Sequence, residues 1–353
     1  MNRLLAVMHR RRPALPIPAW VNVLVGVVVF GYALYLPLVS PTYANTNLAM
    51  VCVYVVTGLG LHLLTGMTGL ISLGHGFFFA IGAYATAILS GTYGWPVLAS
   101  FAVAAALGWI LGFGFGLPAL RLSPLALSQV TLALALITPS VIKRLDFWTN
   151  GSAGLSVNIA DPPAWTGLDK DQWILYICLV VTLIVYLMAV LMSRGRTGRA
   201  MNGLRDNQAV ATTLGVRATT TKSFVFAISA AFAAVGGVLY TLVVQYVGAD
   251  AFALPFAISL IAIIVVGGFC SVPGVVLGAM FVVFMPTWIS DVNTSSSGLV
   301  YGIVLVVFMF ALPYGIVGVI RMAGKPVVDR LGTRGKARPG EVRPAPAEKV
   351  AQP

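Results

Sequence analysis

The residues of this chain that could do chemistry gather in two stretches. The first is Ser72-Leu73-Gly74-His75-Gly76-Phe77, where two glycines flank a histidine inside an apolar run. Glycines so placed can interrupt a helix, and a membrane tolerates the freed backbone groups only where they line a cavity or are buried in protein. On one reading Ser72, Gly74, His75, Gly76 and Phe77 line the path of a passing solute. On the other they form a close crossing of two helices. The second stretch is 194–222, RGRTGRAMNGLRDNQAVATTLGVRATTTK, with Arg194, Arg196, Arg199, Arg205, Arg217 and Lys222 against the single acid Asp206. Wound as one helix at 100° per residue, Ala200, Leu204, Ala211 and Leu214 share a shallow apolar face. Asn202, Arg205, Thr212 and Thr213 fall opposite, and Gly215 follows as a C-cap. Such a helix suits docking into a groove on another protein. A solvated loop that only fixes membrane orientation is the alternative.

Other chemistry is missing from the sequence. It has no GxxxxGK[ST] phosphate loop, no HExxH pair and no nucleophile elbow, so this chain does not itself hydrolyse ATP. His9, His62 and His75 are scattered and form no metal motif. Cys52, Cys178 and Cys270 are odd in number, sit in or beside apolar runs and have no zinc spacing. They read as packing residues. No Asp, Glu, Lys or Arg falls in the middle of an expected span, which argues against a proton relay through intramembrane carboxylates. A sodium-coupled carrier using backbone carbonyls stays open. A membrane-embedded lipid-modifying enzyme would need polar catalytic residues at an interface, and no convincing set is present.

The elements that must hold these stretches are membrane spans. Of 353 residues, 59% are hydrophobic and 9% charged, where soluble domains carry about 25% charged residues. Apolar runs longer than ~18 residues recur, as spanning helices require. The predicted fold is an all-α polytopic membrane protein of about ten transmembrane helices, one or two of them broken or re-entrant. The spans begin at 20–39 and 48–64, and the third follows the TGMTG turn up to Ser90. The fourth, 97–117, carries Gly108, Gly112 and Gly116 on one face, which lets a neighbour approach closely. The fifth is 122–142, the sixth 173–192 and the seventh 223–246, with Ser229, Ala233 and Gly237 on a small-residue face. Two short ones follow at 255–268 and 274–289, then the last at 298–320.

A basic N-terminus, 1–19, precedes this membrane domain of 20–320. A tail, 321–353, rich in Pro, Arg and Lys, follows and is expected to be disordered. Nineteen of the 22 basic residues fall in segments that ten spans would place on one side. The positive-inside bias makes that side, with both termini and the 194–222 loop, cytoplasmic. The net charge of +12 lies outside the apolar runs, which suits anionic lipid rather than nucleic acid.

Five segments occur in a telling order: ISLGHGFFFAIGAY, TNGSAGL at 149–155, GRAMNGLRDNQAVATTLGV at 198–216, FAISAAFAAVGGVLY at 226–240 and VVGGFCSVPGVVLGA at 265–279. Together they resemble the permease subunits of bacterial branched-chain amino-acid ABC importers, most of all the LivM-type subunit, over about residues 45–320. Cys270, Pro273 and the pair Ala153–Gly154 depart from that pattern. The resemblance implies the ABC importer permease fold and a half-channel that pairs with a second, similar membrane subunit. Two cytoplasmic ATPase subunits and a periplasmic or lipid-anchored binding protein complete the machine. This chain would bind no cofactor, and ATP and Mg would act on the ATPase subunits. The loop 198–216 becomes the coupling segment, with Arg199, Leu204, Arg205, Asp206, Asn207, Ala211, Leu214 and Gly215 meeting the ATPase. It implies translocation of branched-chain amino acids across the inner membrane. Urea, short amides or another small metabolite are the rival substrates.

Overall fold

The computed structural model describes residues 31–39, 41–119, 124–158, 162, 167–268, 271–292, 297–311 and 315–319. A helix rich in small residues, Ala218–Val244, runs through the middle of the described chain, and other spans pack around it. In chain order the helices are α1 (31–39), α2 (Thr42–Leu61), α3 (His75–Thr86), α4 (Val97–Ala119), α5 (Pro124–Arg144), the single turn α6 (Asp146–Thr149) and α7 (Lys170–Arg194). Then come α8 (Arg196–Asp206), α9 (Gln208–Thr213), α10 (Ala218–Val244), α11 (Leu254–Gly267), α12 (Val272–Val292), α13 (Ser297–Ala311) and α14 (315–319). Both α2 and α3 run on into π-helical turns, His62–Met67 and Ala87–Thr92.

Small residues set the helix spacing, because in lipid the packing of helices rests on close contact rather than on expulsion of water. A Cβ at Gly237 would overlap the Phe79 carbonyl, and one at Gly82 the Ala234 carbonyl, so α10 and α3 touch backbone to backbone. Gly108 and Gly112 of α4 lie against Ala230 of α10, where added Cβ atoms would come to 2.8 Å from its carbonyl oxygen and 2.5 Å from its Cβ. The glycine stripe of the fourth span therefore meets the alanine-rich face of α10. The hairpin of α11 and α12 closes in the same way, with Gly267 on Gly274 and Gly278 on the Ile263 carbonyl.

Among the described residues six helices are long and apolar enough to cross a membrane: Thr42–Met67, Val97–Leu117, Leu125–Arg144, Lys170–Arg194, Ala218–Val244 and Val272–Ile289. Leu254–Gly267 is a shorter apolar helix. The protein is thus a multi-pass, all-α membrane protein, while the expected count of ten spans is not reached among the described residues. Most of the first expected span and the termini 1–19 and 321–353 lie outside them, as do Phe269 and Cys270. One expectation is corrected: the segment expected to be short at 274–289 is a helix of 21 residues, because 272–273 and 290–292 extend it at its two ends.

At the end where α5 stops and α7 starts, a small ribbon joins two loops. Leu155–Ser156 pairs antiparallel with Tyr246–Val247, with Leu155 opposite Val247. The Tyr246 hydroxyl donates to the Ala153 carbonyl at 3.0 Å, and Lys143 pairs with Asp250 at 2.7 Å. Gly154 has φ +69°, and a Cβ there would come within 2.6 Å of the Val247 carbonyl oxygen. The chain can make this turn only with glycine at that position.

Candidate functional site: the basic end and the Ser72–Phe77 break

At the opposite end, the basic loop is not one helix but two. Asn207 is extended (φ −158°, ψ 107°) and ends α8, whose last turn is closed by the Asn207 N–H on the Gly203 carbonyl. Its side chain then caps α9, accepting from the Val210 N–H at 3.2 Å. A short polar side chain that can bond to a backbone N–H three residues on favours this geometry over a continuous helix. The break at Asn207 corrects the single-helix expectation, and with it the docking face. Leu204 and Ala211 are both buried within the chain, together with Met201 and Gly198. Leu214 is 80% exposed and Val210 53%. The apolar residues presented outward are therefore Val210 and Leu214. The sequence signal for this second N-cap is an Asn placed three residues before Val210.

The remaining coupling candidates surround this pair. Arg199 and Asp206 are exposed, and so is Asn207. Gly215 is left-handed (φ +87°) and closes α9 with two bonds: its own N–H to the Thr212 carbonyl (3.0 Å) and the Val216 N–H to the Ala211 carbonyl (3.1 Å). That is the Schellman arrangement, in which glycine carries no Cβ penalty. Lys222 at the start of α10 donates to the Gln208 side chain at 2.8 Å, tying α9 to that span.

Arg205 turns inward. Its Nη1 donates to the Gly66 carbonyl at 2.6 Å, and its stem lies over Gly69, where a Cβ would sit 3.2 Å from Arg205 Cγ. Gly66 belongs to the π-helical end of α2, where the wide i→i+5 ladder disturbs the usual pairing of carbonyls. The basic element is thereby bonded to the segment that leads into the Ser72–Phe77 break.

The break itself is the non-helical stretch 69–74, and α3 begins at His75. Glycine-histidine-glycine thus starts a helix rather than interrupting one. Ser72, Gly74, His75 and Gly76 are buried and Phe77 is partly exposed. The Leu73 N–H donates to Thr131 Oγ1 of α5 at 3.1 Å, and the Gly74 N–H faces Ser72 Oγ at 3.4 Å. A Cβ at Gly74 would meet Thr131 and Leu134 at 3.3 Å, so the break lies directly against α5. His75 Nε2 is 2.5 Å from Ser229 Oγ, whose own proton goes to the Gly60 carbonyl at 2.6 Å. Ser229 therefore accepts from Nε2–H, and His75 joins α3, α10 and α2 through one hydroxyl. Phe77 packs edge-on to Phe78 and Phe115. Gly76 lies beside Phe256 of α11. Among the described residues no three His, Cys, Asp or Glu side chains come together to hold a metal ion.

Residues 43–311 match the family model described as branched-chain amino acid transport system / permease component. The chain is 31% identical over 301 residues to the high-affinity branched-chain amino acid transport system permease protein LivM of Salmonella typhimurium strain LT2, covering 77% of this chain and 69% of that protein. It is 30% identical over 292 residues to LivM of Escherichia coli K12, covering 76% and 68%. It is also 23% identical over 299 residues to the LivH permease protein of Escherichia coli K12, covering 75% and 91%. No solved structure matches the chain. A bundle of apolar helices built on glycine contacts, with a basic two-helix element bonded to its core, thus carries a matching sequence over nearly all of its spans: the chain belongs to the permease-component family of branched-chain amino acid transport systems.

Proposed function

We propose that this chain is one of two membrane subunits of an ATP-driven importer that carries branched-chain amino acids across the bacterial inner membrane. The names of its LivM relatives support the substrate class, and its similarity to both LivM and LivH supports a paired, homologous partner. Two ATPase subunits, using ATP and Mg, supply the energy, and a periplasmic or lipid-anchored binding protein delivers the solute. The basic end faces the cytoplasm, in line with the positive-inside bias.

The observation that carries the coupling role is the Arg205 bond to the Gly66 carbonyl. An ATPase subunit that grips Val210 and Leu214, with Arg199, Asp206 and Asn207 at the rim, can move α8 and α9. Through Arg205 it then pulls on the end of α2, and through Gly69–Gly74 on the break. Ser72, Gly74, His75, Gly76 and Phe77 act as the moving joint of the solute pathway.

The test is a reconstituted complex in vesicles. ATP-driven uptake of leucine, isoleucine and valine is measured against urea and short amides, alongside ATP hydrolysis. Leucine uptake is expected. Arg205→Ala should lower uptake while hydrolysis persists, because it cuts the link and leaves the outward face intact. Uptake of urea or an amide with none of leucine would reject the substrate class, and normal uptake by Arg205→Ala would reject the link.

A further inference from the structure

The uncovered faces of the spans differ in one respect. On α7 the exposed residues along the span are Val180, Ile184, Leu187, Met188 and Leu191, all apolar, as a lipid-facing surface requires. On α13 they include Ile303, Val306, Val307 and Phe310, again apolar. Along α5 the pattern changes. Its buried face is Leu127, Thr131, Ala135, Thr138 and Ile142. Its exposed side carries Leu125, Val130, Ile137 and Val141, and among them a strip that holds two polar side chains: Gln129, Ala133, Leu136 and Ser140. At 100° per residue these four fall within about 60° of one another.

Gln129 and Ser140 lie roughly 8 Å and 6 Å inside the ends of a helix about 31 Å long, at ~1.5 Å per residue. Both depths are within a hydrocarbon core about 30 Å thick. The other hydroxyls of α5 are satisfied by its own backbone: Ser128 on the Leu125 carbonyl (2.7 Å), Thr131 on Ser128 (3.1 Å) and Thr138 on Leu134 (2.7 Å). Gln129 and Ser140 have no hydrogen-bond partner among the described residues. A primary amide offers two donors and an acceptor, and hydrocarbon answers none of them. The Gln129 amide and the Ser140 hydroxyl on this strip are at home against water and polar solutes, not lipid.

We propose that the Gln129–Ser140 face of α5 is one wall of a water-filled passage for a small hydrophilic solute, closed on its far side by the second permease subunit, and that Gln129 hydrogen-bonds the solute as it passes. This rests on the reading of the chain as a transporter subunit. The buried face of α5 carries Thr131, which holds the Leu73 N–H, and it also abuts Gly74. The Ser72–Phe77 break therefore stands behind the wall and moves it, while the solute meets α5.

Single cysteines test the wall in the assembled complex in native membranes. Gln129→Cys, Ser140→Cys and, as the lipid-facing reference, Ile184→Cys are each treated with a charged, water-soluble thiol reagent. Modification is read as a mass shift on this chain. A thiolate forms in water and not in hydrocarbon, so the first two should react about tenfold faster than the third, or more. Rates equal to that of Ile184→Cys would overturn the passage and assign the face to lipid or to dry subunit packing. The mass shift needs no knowledge of the solute, so fast labelling without leucine uptake would support the passage while rejecting the substrate class. The contact is tested separately, with Gln129→Leu expected to slow uptake about tenfold, and Gln129→Asn to restore most of it, since Asn keeps the amide. Full uptake by Gln129→Leu would remove Gln129 from the contact.

Discussion

At the scale of single residues, the outcome turns on which leucine of the basic loop faces out. Leu204 and Leu214 share a face only if the loop is one helix. Asn207 ends α8 and restarts α9, and the two leucines part company: Leu204 is 4% exposed and Leu214 80%. Their substitutions should therefore fail in different ways. Leu204→Asp places a carboxylate at a buried position, costing about 3 kcal/mol or more, and should lower the amount of folded chain in the membrane. Leu214→Asp should leave the melting temperature of the chain unchanged. It should weaken ATPase-subunit binding by about tenfold to a hundredfold, since burying a leucine is worth roughly 1.5–3 kcal/mol. Thermal melting and co-purification of the ATPase subunit distinguish the two. Unchanged co-purification with Leu214→Asp would take this side chain out of the docking surface. Rim charges such as Arg199 and Asp206 should matter less, as exposed ion pairs contribute ~0–1 kcal/mol each.

At the scale of elements, glycine decides where helices touch. The α3–α10 contact brings the Ala234 and Phe79 carbonyls onto Gly82 and Gly237, with no side chain between. The added methyl of Gly82→Ala meets backbone, which cannot swing aside as a side chain does. It should destabilise the bundle by about 1–3 kcal/mol, as overpacking does. Gly302→Ala on α13 meets nothing within 4 Å and should be neutral, or stabilising by up to ~1 kcal/mol through helix propensity. Melting both variants in the same detergent checks the contrast, and equal melting temperatures would mean that α3 and α10 do not rely on this contact. His75 belongs to the same scale. Its bond to Ser229, and that of Ser229 to the Gly60 carbonyl, join three helices at one point.

At the scale of the whole molecule, polarity is divided between two ends. The ribbon end carries the Lys143–Asp250 pair and the Leu155–Val247 strand register. The basic end carries α8, α9 and their arginines. The proposed orientation, which rests on the positive-inside bias, has the basic end in the cytoplasm. Ser152→Cys and Leu214→Cys, both at exposed positions, should then label from opposite sides of intact cells, the first with an impermeant reagent and the second only after permeabilisation. Labelling of Leu214→Cys in intact cells would invert the topology.

The amino-acid sequence by itself determined the class, the family and the close helix contacts. Long uncharged runs have no stable place in water, and Gly108, Gly112 and Gly237 mark faces that only a near neighbour can cover. Gly215 is legible for the same reason: a helix end followed by glycine invites a left-handed residue, and φ is +87°. The tertiary structure decided what those faces meet. Periodicity reports which residues share a side of one helix, but the partner of a side depends on contacts between residues far apart in the chain. Leu204 and Leu214 part because Asn207 ends one helix and caps the next instead of continuing the first. Gly154 is forced by Val247 and Tyr246, more than ninety positions away. In the sequence Gln129 is one polar residue in an apolar run. Its meaning arose only when the fold buried Thr131 on the opposite face of α5 and left the amide facing out of the chain.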